Sequence, residues 1–269
     1  MGFLSEIVRA TEREVRSDAY GSSLPDRPAR GNRPRFRAAI EADRASGALL
    51  VEYKRVSPGQ SDPRLPVRSV SEFVRATEGA GITGYSCLAT GPRFEGSPAD
   101  VAGLADATSR PVLFKDFVVD PRQLEVARRA GAAAVLLIAR LETAGLLSVP
   151  LSELAQRAHA LDLEVLLEFH DKAELSVAER VAADMYGVNV RDLDSLAIER
   201  RTAGATIAEA RMAGLEPLLG LSGVDGPAEA ARFWRSGVDG ILVGTAVARA
   251  RDPARFLRGL HRSARGAPP

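Results

Sequence analysis

The segment Ala48-Leu49-Leu50-Val51-Glu52-Tyr53-Lys54-Arg55-Val56-Ser57-Pro58-Gly59 opens as an apolar run and closes on a polar loop. A run this short and apolar suits a strand buried on both faces, as strands of a parallel sheet are. A dinucleotide-binding open sheet would leave its first strand through Gly-x-Gly-x-x-Gly. This strand leads instead into Lys54-Arg55-Val56-Ser57-Pro58-Gly59, which speaks against the doubly wound alternative. Seven more apolar runs follow, over 82–88, 111–115, 133–138, 164–169, 184–189, 216–221 and 239–244. Between them lie segments patterned like helices, among them 70–78, 122–130, 151–160, 173–181 and 228–235. Helix-start signals precede several of these: Ser71 before Glu72, Asp120-Pro121, Asp171, and Pro227 after Asp225-Gly226. Eight strands alternating with helices predict an α/β fold, a closed (β/α)8 barrel, which typically takes about 250 residues. Residues 1–45 precede the first strand and are expected to hold one or two extra helices around a Pro/Arg/Gly-rich stretch, 25–34. The whole chain, 1–269, therefore reads as one barrel domain with an N-terminal helical extension over 1–45.

Composition excludes several classes. A net charge of +1 lacks the electrostatic footprint of a nucleic-acid binder. No apolar run approaches the ~20 residues of a membrane helix. Cys87 is the single cysteine, and His159, His170 and His261 are too scattered for a zinc site. Met1 to Val15 mixes charge with apolar residues at helical spacing and has no signal-peptide core, so a cytoplasmic protein is expected. The 36 basic residues comprise 33 arginines and only three lysines, Lys54, Lys115 and Lys172; asparagine occurs only at Asn32 and Asn189. A GC-rich genome and selection for heat tolerance both produce such a bias. Under it, a retained lysine is informative, because a compact ammonium can be retuned by burial while a guanidinium stays charged.

In a barrel of this kind the active site lies at the C-terminal ends of the strands. Glu52, Lys54 and Ser57 fall there on the first strand, Lys115 on the third and Glu168 on the fifth. Asn189 and Arg191 follow on the sixth, and Ser222-Gly223 and Gly244-Thr245 on the seventh and eighth. Glu52 and Lys54 are two apart, hence on one face of their strand. Two carboxylates and two lysines on one rim make a general acid/base site in which neighbouring charges shift one another. The glycines of Ser222-Gly223-Val224 and Val243-Gly244-Thr245 let backbone N–H groups approach an anion, where barrels often hold phosphate. Ser57 and Lys54 are placed to close that site from the first strand. The expected partner is a small phosphorylated molecule, with no nucleic acid and no membrane, bound by a monomer or weak homo-oligomer.

The block Val51-Glu52-Tyr53-Lys54-Arg55-x-Ser57-Pro58 resembles the first-strand signature of the indole-3-glycerol phosphate synthase family. The likeness continues in Phe94-x-Gly96-Ser97, in Lys115-Asp116-Phe117, in Leu167-Glu168-x-His170-Asp171 and in Gly187-Val188-Asn189-x-Arg191-Asp192-Leu193. Helix-like Phe3–Arg16 resembles the family's extra N-terminal helix. The resemblance implies ring closure of 1-(2-carboxyphenylamino)-1-deoxyribulose 5-phosphate to indole-3-glycerol phosphate, carbon dioxide and water, without metal or organic cofactor. It also implies roles. Lys115 would be the general acid toward the substrate carbonyl, and Lys54 the partner of the substrate carboxylate and a second acid. Glu168 would be the acid or base of dehydration, with Glu52 stabilising the cationic intermediate. Asn189 and Arg191 would orient the substrate, and Phe94, Phe117, Leu136 and Leu196 would wall its aromatic ring. Ser57, Gly223, Gly244 and Thr245, placed by their strand ends, are expected to hold the phosphate, and Ser57 and Ser222 to bind the substrate beside it.

Four positions depart from the family pattern: Leu221 where Glu-Ser-Gly is usual, Leu88-Ala89-Thr90 for Leu-Thr-Glu, Val190 after Asn189, and Gly244-Thr245 for Gly-Glu. Leu221 weighs most, since it removes a rim carboxylate near the developing positive charge; Glu95, after the second strand, is a candidate to compensate. Two other readings stand beside the synthase. One is a catalytically weak or silent paralogue that binds a phosphorylated metabolite as a sensor or partner subunit, for which Leu221 is the argument. The other is an isomerase of the same pathway, which the paired strand-end lysines fit poorly.

Overall fold

Each apolar run becomes one strand, and the eight strands pair in chain order into a closed parallel barrel. The structure, a computed structural model, describes residues 2–17, 19–25, 34–59, 61–66 and 69–264. Most of the 25–34 stretch lies outside the described residues. The order is α1 (Phe3–Arg16), α2 (Phe36–Asp43), β1 (Ala48–Tyr53), α3 (Val70–Thr77), β2 (Gly84–Leu88), α4 (Pro98–Ala107) and β3 (Val112–Lys115). Next come α5 (Arg122–Arg129), β4 (Ala134–Ile138), α6 (Ala139–Thr143), α7 (Leu151–Ala160), β5 (Glu164–Phe169), α8 (Lys172–Ala178) and β6 (Met185–Asn189). The chain ends with α9 (Arg200–Met212), β7 (Leu218–Leu221), α10 (Pro227–Arg235), β8 (Gly240–Val243), α11 (Thr245–Arg249) and α12 (Pro253–Ala264). Six strands begin one or two residues later than their apolar runs, and in two of them the leading aspartate turns its side chain to a neighbouring strand. The Asp184 and Asp239 carboxylates accept the backbone N–H of Val165 and Leu218 from neighbouring strands, each at 2.8 Å.

Local signals act as caps, with one correction. Asp171 caps α8 by accepting the Glu174 N–H, and Pro227 is the first residue of α10. For α3 the capping residue is Ser69 rather than Ser71. Its hydroxyl accepts from the Glu72 N–H while the Glu72 side chain accepts from the Ser69 N–H. That reciprocal box needs a spacing of three, which Ser71 does not have to Glu72.

Alternation along each strand divides the buried residues into two layers. Val51, Phe114, Val135 and Leu167 pack outward against the helices, while Leu50, Leu113, Leu136, Leu166 and Leu242 fill the barrel. The extension contributes one helix to each end. Phe36 and Ile40 of α2 plug the bottom beside Ala48 and Leu50, and Glu164 accepts the backbone N–H groups of Phe36 and Arg37. Leu4, Ile7 and Val8 of α1 pack at the opposite end with Phe117, Val119 and Leu141. No helix among the described residues is long and apolar enough to cross a membrane.

Candidate active site

A cavity of about 330 Å³ opens at the C-terminal ends of the strands. All the rim residues singled out from sequence line it: Glu52, Lys54, Lys115, Glu168 and Asn189; Ser57, Phe94, Phe117, Leu136, Arg191, Leu196 and Ser222; Gly223, Gly244 and Thr245. Residues outside the candidate set line it too, notably Phe3 and Ile138, and Asp116 and Leu193, which the motif blocks contain but to which no role was given. Phe3 comes from the extension and meets Phe94 edge-on at 6.4 Å; Phe94 in turn lies 6.0 Å from Phe117. An aromatic at the start of an amphipathic helix was its only sequence signal.

The polar half is a chain of charges. The Lys54 ammonium lies 2.8 Å from Glu52 Oε1, and that of Lys115 lies 3.5 Å from Glu52 Oε2. Burial alone pushes the Glu52 carboxyl up, but the two lysines outweigh it and hold the group below the usual carboxylate range. Burial likewise pulls the Lys115 ammonium down, and Glu52 and Glu168 outweigh it, so Lys115 stays protonated. Glu168 differs. Burial pushes its carboxyl up, and Lys115 and Asn189 offset this only in part. Asn189 Nδ2 donates to Glu168 Oε1 at 2.8 Å, whereas Oε2 is buried without a protein partner. The two carboxyls are thus shifted in opposite directions, Glu52 down and Glu168 up, a kind of separation that acid/base sites in general use.

Asn189 is set by its neighbours: its Oδ1 accepts the Arg191 N–H at 2.9 Å. The Arg191 guanidinium donates to the Leu196 carbonyl at 2.6 Å, and Leu196 sits in the left-handed region at φ 59°. Asp116, though it follows Lys115, faces away from the chemistry. It accepts from the Tyr20 hydroxyl, the Gln123 amide, the Thr90 hydroxyl and the Phe117 N–H. At the opposite rim Ser222 and Gly223 are both left-handed, at φ 66° and 68°, and the Ser57 and Thr245 hydroxyls lie 3.1 Å apart. Gly244 leaves room for the Glu52–Lys54 pair. A Cβ there would meet Glu52 Oε1 at 2.7 Å and Lys54 Cε at 3.0 Å.

Leu221 points into the barrel, where it is buried with Leu219 and Leu242, and forms part of the cavity floor. A Cβ on Gly187 would meet Leu221 Cδ1 at 2.5 Å, so glycine at 187 and leucine at 221 fit as a pair. Glu95 does not take the place of the missing carboxylate. It is paired with Arg64 at 2.6 Å and does not line the cavity. Among the described residues no cluster of three or more His, Cys, Asp or Glu side chains is arranged to hold a metal ion.

The family model of indole-3-glycerol phosphate synthase matches residues 4–260. The chain belongs to the indole-3-glycerol phosphate synthase family. Indole-3-glycerol phosphate synthase 2 of Streptomyces coelicolor is 37% identical over 253 residues, covering 94% of this chain and 92% of that protein. The synthase of Exiguobacterium sibiricum is 36% identical over 214 residues, 80% of each chain. That of Staphylococcus aureus strain Newman is 33% identical over 259 residues, 96% of each. Solved structures share the fold at low identity. The 3-hexulose-6-phosphate synthase of Salmonella typhimurium superposes with a TM-score of 0.60 at 14% identity, over 81% of this chain and 99% of that one. Tryptophan synthase subunit alpha of Legionella pneumophila gives 0.60 at 14%, over 86% and 98%. The resemblance seen in the motifs is therefore a family relationship, and the family's activity is a carboxy-lyase step of tryptophan biosynthesis. Nothing in the fold or the relatives favours a silent paralogue.

Proposed function

We propose that this cavity binds 1-(2-carboxyphenylamino)-1-deoxyribulose 5-phosphate and closes it to indole-3-glycerol phosphate. The observation that carries the reading is Lys115 set between Glu52 and Glu168, with the Glu168 carboxyl held by Asn189. The ring carbon bearing the carboxylate attacks the ribulose carbonyl as Lys115 protonates its oxygen. Carbon dioxide leaves from that ring carbon, and its bonding electrons restore the aromatic ring. The new hydroxyl then leaves as water with a proton from Glu168 or Lys54, and loss of a proton from the adjacent methylene completes the indole. One proton is drawn from solvent, and carbon, oxygen and charge balance.

Phe94, Phe117, Leu136 and Leu196 are the apolar wall for the aromatic ring, and Lys54 meets the carboxylate that departs. The phosphate goes to the loops after β7 and β8, supported by the two left-handed residues at 222–223 and the hydroxyls of Ser57 and Thr245. A monomer or weak homo-oligomer in the cytoplasm completes the reading. The lack of a large obligate interface in this reading is supported by Met212 being the one large hydrophobic side chain exposed among the described residues. Purified protein incubated with the carboxyphenylamino substrate should develop indole fluorescence and release carbon dioxide in equal amount. A folded protein that gives neither overturns the assignment.

A further inference from the structure

We propose that His170 is a positioning residue of this site, its imidazole holding the Asn189 peptide so that the Asn189 amide stays on Glu168. The inference rests on the functional reading above. His170 stands one residue beyond β5, and its Nδ1 lies 2.6 Å from the Asn189 carbonyl oxygen of β6. A carbonyl only accepts, so Nδ1 carries the proton. The bond sits where the sheet stops. Phe169 and Val188 are the last partners in the register of β5 with β6, and Asn189 is the next residue up. The imidazole continues by side chain the tie that the ladder makes below, on the same residue whose side chain bonds Glu168.

The imidazole is itself held. Its backbone N–H donates to Glu174 Oε2 at 2.7 Å, and Arg140 lies 3.5 Å from the other Glu174 oxygen. Its Nε2 lies 3.5 Å from Glu199, and the side chain is only 15% exposed. Burial pulls the imidazole down, but the Asn189 carbonyl and the carboxylates of Glu174, Glu199 and Asp192 outweigh it. Neutral or charged, the ring keeps its Nδ1 proton, so the tie survives titration. Without it, the Asn189–Val190 peptide is held only by the Val190 N–H on the Leu221 carbonyl at 3.1 Å, so its carbonyl side can shift, and a misplacement of about 1 Å at a reacting group costs on the order of 10²-fold in rate.

The test uses three variants of the full chain with the carboxyphenylamino substrate. H170L should lower kcat about 10- to 100-fold while KM moves less than about threefold. H170N places an amide N–H where Nδ1 stood and should recover most of the loss. H170Q places its amide where Nε2 stood and should behave like H170L; if H170L does not fold, the Asn and Gln variants decide alone. The nitrogen-15 spectrum of the free protein should show Nδ1 protonated in the neutral ring. An H170L with wild-type kcat, equal loss in H170N and H170Q, or an Nε2–H tautomer overturns the positioning role. A wild type that does not turn the substrate over overturns the functional reading, and this role with it.

Discussion

β5 carries a glutamate at each end, four residues apart and on the same face of the strand, and the two have opposite lives. Glu164, at the bottom, accepts two backbone N–H groups at the start of α2, so both its oxygens are used. Glu168, at the top, has one oxygen on Asn189 and the other without a protein partner. Asp239, at the bottom of β8, is saturated like Glu164, by Arg44, Arg211 and the Leu218 N–H. Carboxylates satisfied by backbone and arginine donors hold the barrel together, whereas an unsatisfied one is left free for chemistry. The satisfied groups carry the stability; the unsatisfied one should carry the rate.

The comparison breaks first at the group that faces both top carboxylates. Lys115→Met should lower kcat by ~10²–10⁴-fold with an unchanged melting curve, since the variant removes an acid and keeps the stem that packs. Near wild-type turnover would move the proton to another donor. Next in size is Leu221→Glu. The side chain is buried against Gly187 and Leu242, so an unpaired carboxylate there should cost several kcal/mol of stability and give no rate. A stable variant with faster turnover would show instead that the top of the barrel has room for a third working carboxylate.

Glu174 sharpens the contrast through pH. Burial pushes its carboxyl up to about 7 from an ordinary 4.5. The folded chain holds a proton there that the unfolded chain has already lost. Relative to Glu174→Gln, wild-type stability should therefore be full below pH 4.5 and decline by about 3 kcal/mol as pH rises to about 7. Urea unfolding of both proteins across that window measures it; parallel curves would show that the Glu174 carboxyl titrates alike in the folded and unfolded chain. Glu168→Gln should lower kcat by about 10²-fold and leave the unfolding midpoint where it was. Smallest is Glu164→Gln, which removes one acceptor from the start of α2. It should cost about 1–2 kcal/mol on chemical denaturation with kcat per folded molecule unaltered. If the Glu164 variant lost rate and the Glu168 variant lost stability, the division between the two ends would fall.

Much of this was legible in the residues themselves. The eight strands could be seen because parallel strands buried on both faces are short unbroken apolar runs, and Asp171 and Pro227 announced their helices by chemistry local to the turn. The lysines and asparagine at strand ends stood out against a chain that otherwise avoids both. Other features were not legible. Ser69, rather than Ser71, caps α3 because the reciprocal bonds need a spacing of three. Phe3 joins the cavity only because α1 packs across the top of a barrel whose first strand begins 45 residues later.

The sequence by itself determined the strand order, the face of each strand and the cluster of charged side chains at one end, because period-two alternation and chain order are properties of the backbone alone. Tertiary structure decided which of those charges are satisfied. Whether Glu168 keeps an open oxygen, whether Leu221 meets Gly187 or the rim, and whether His170 reaches Asn189 depend on distances between neighbouring strands, with a helix or loop between them in the chain. Hydrogen bonding and burial act over a few ångströms in space, and spacing along the sequence does not encode them.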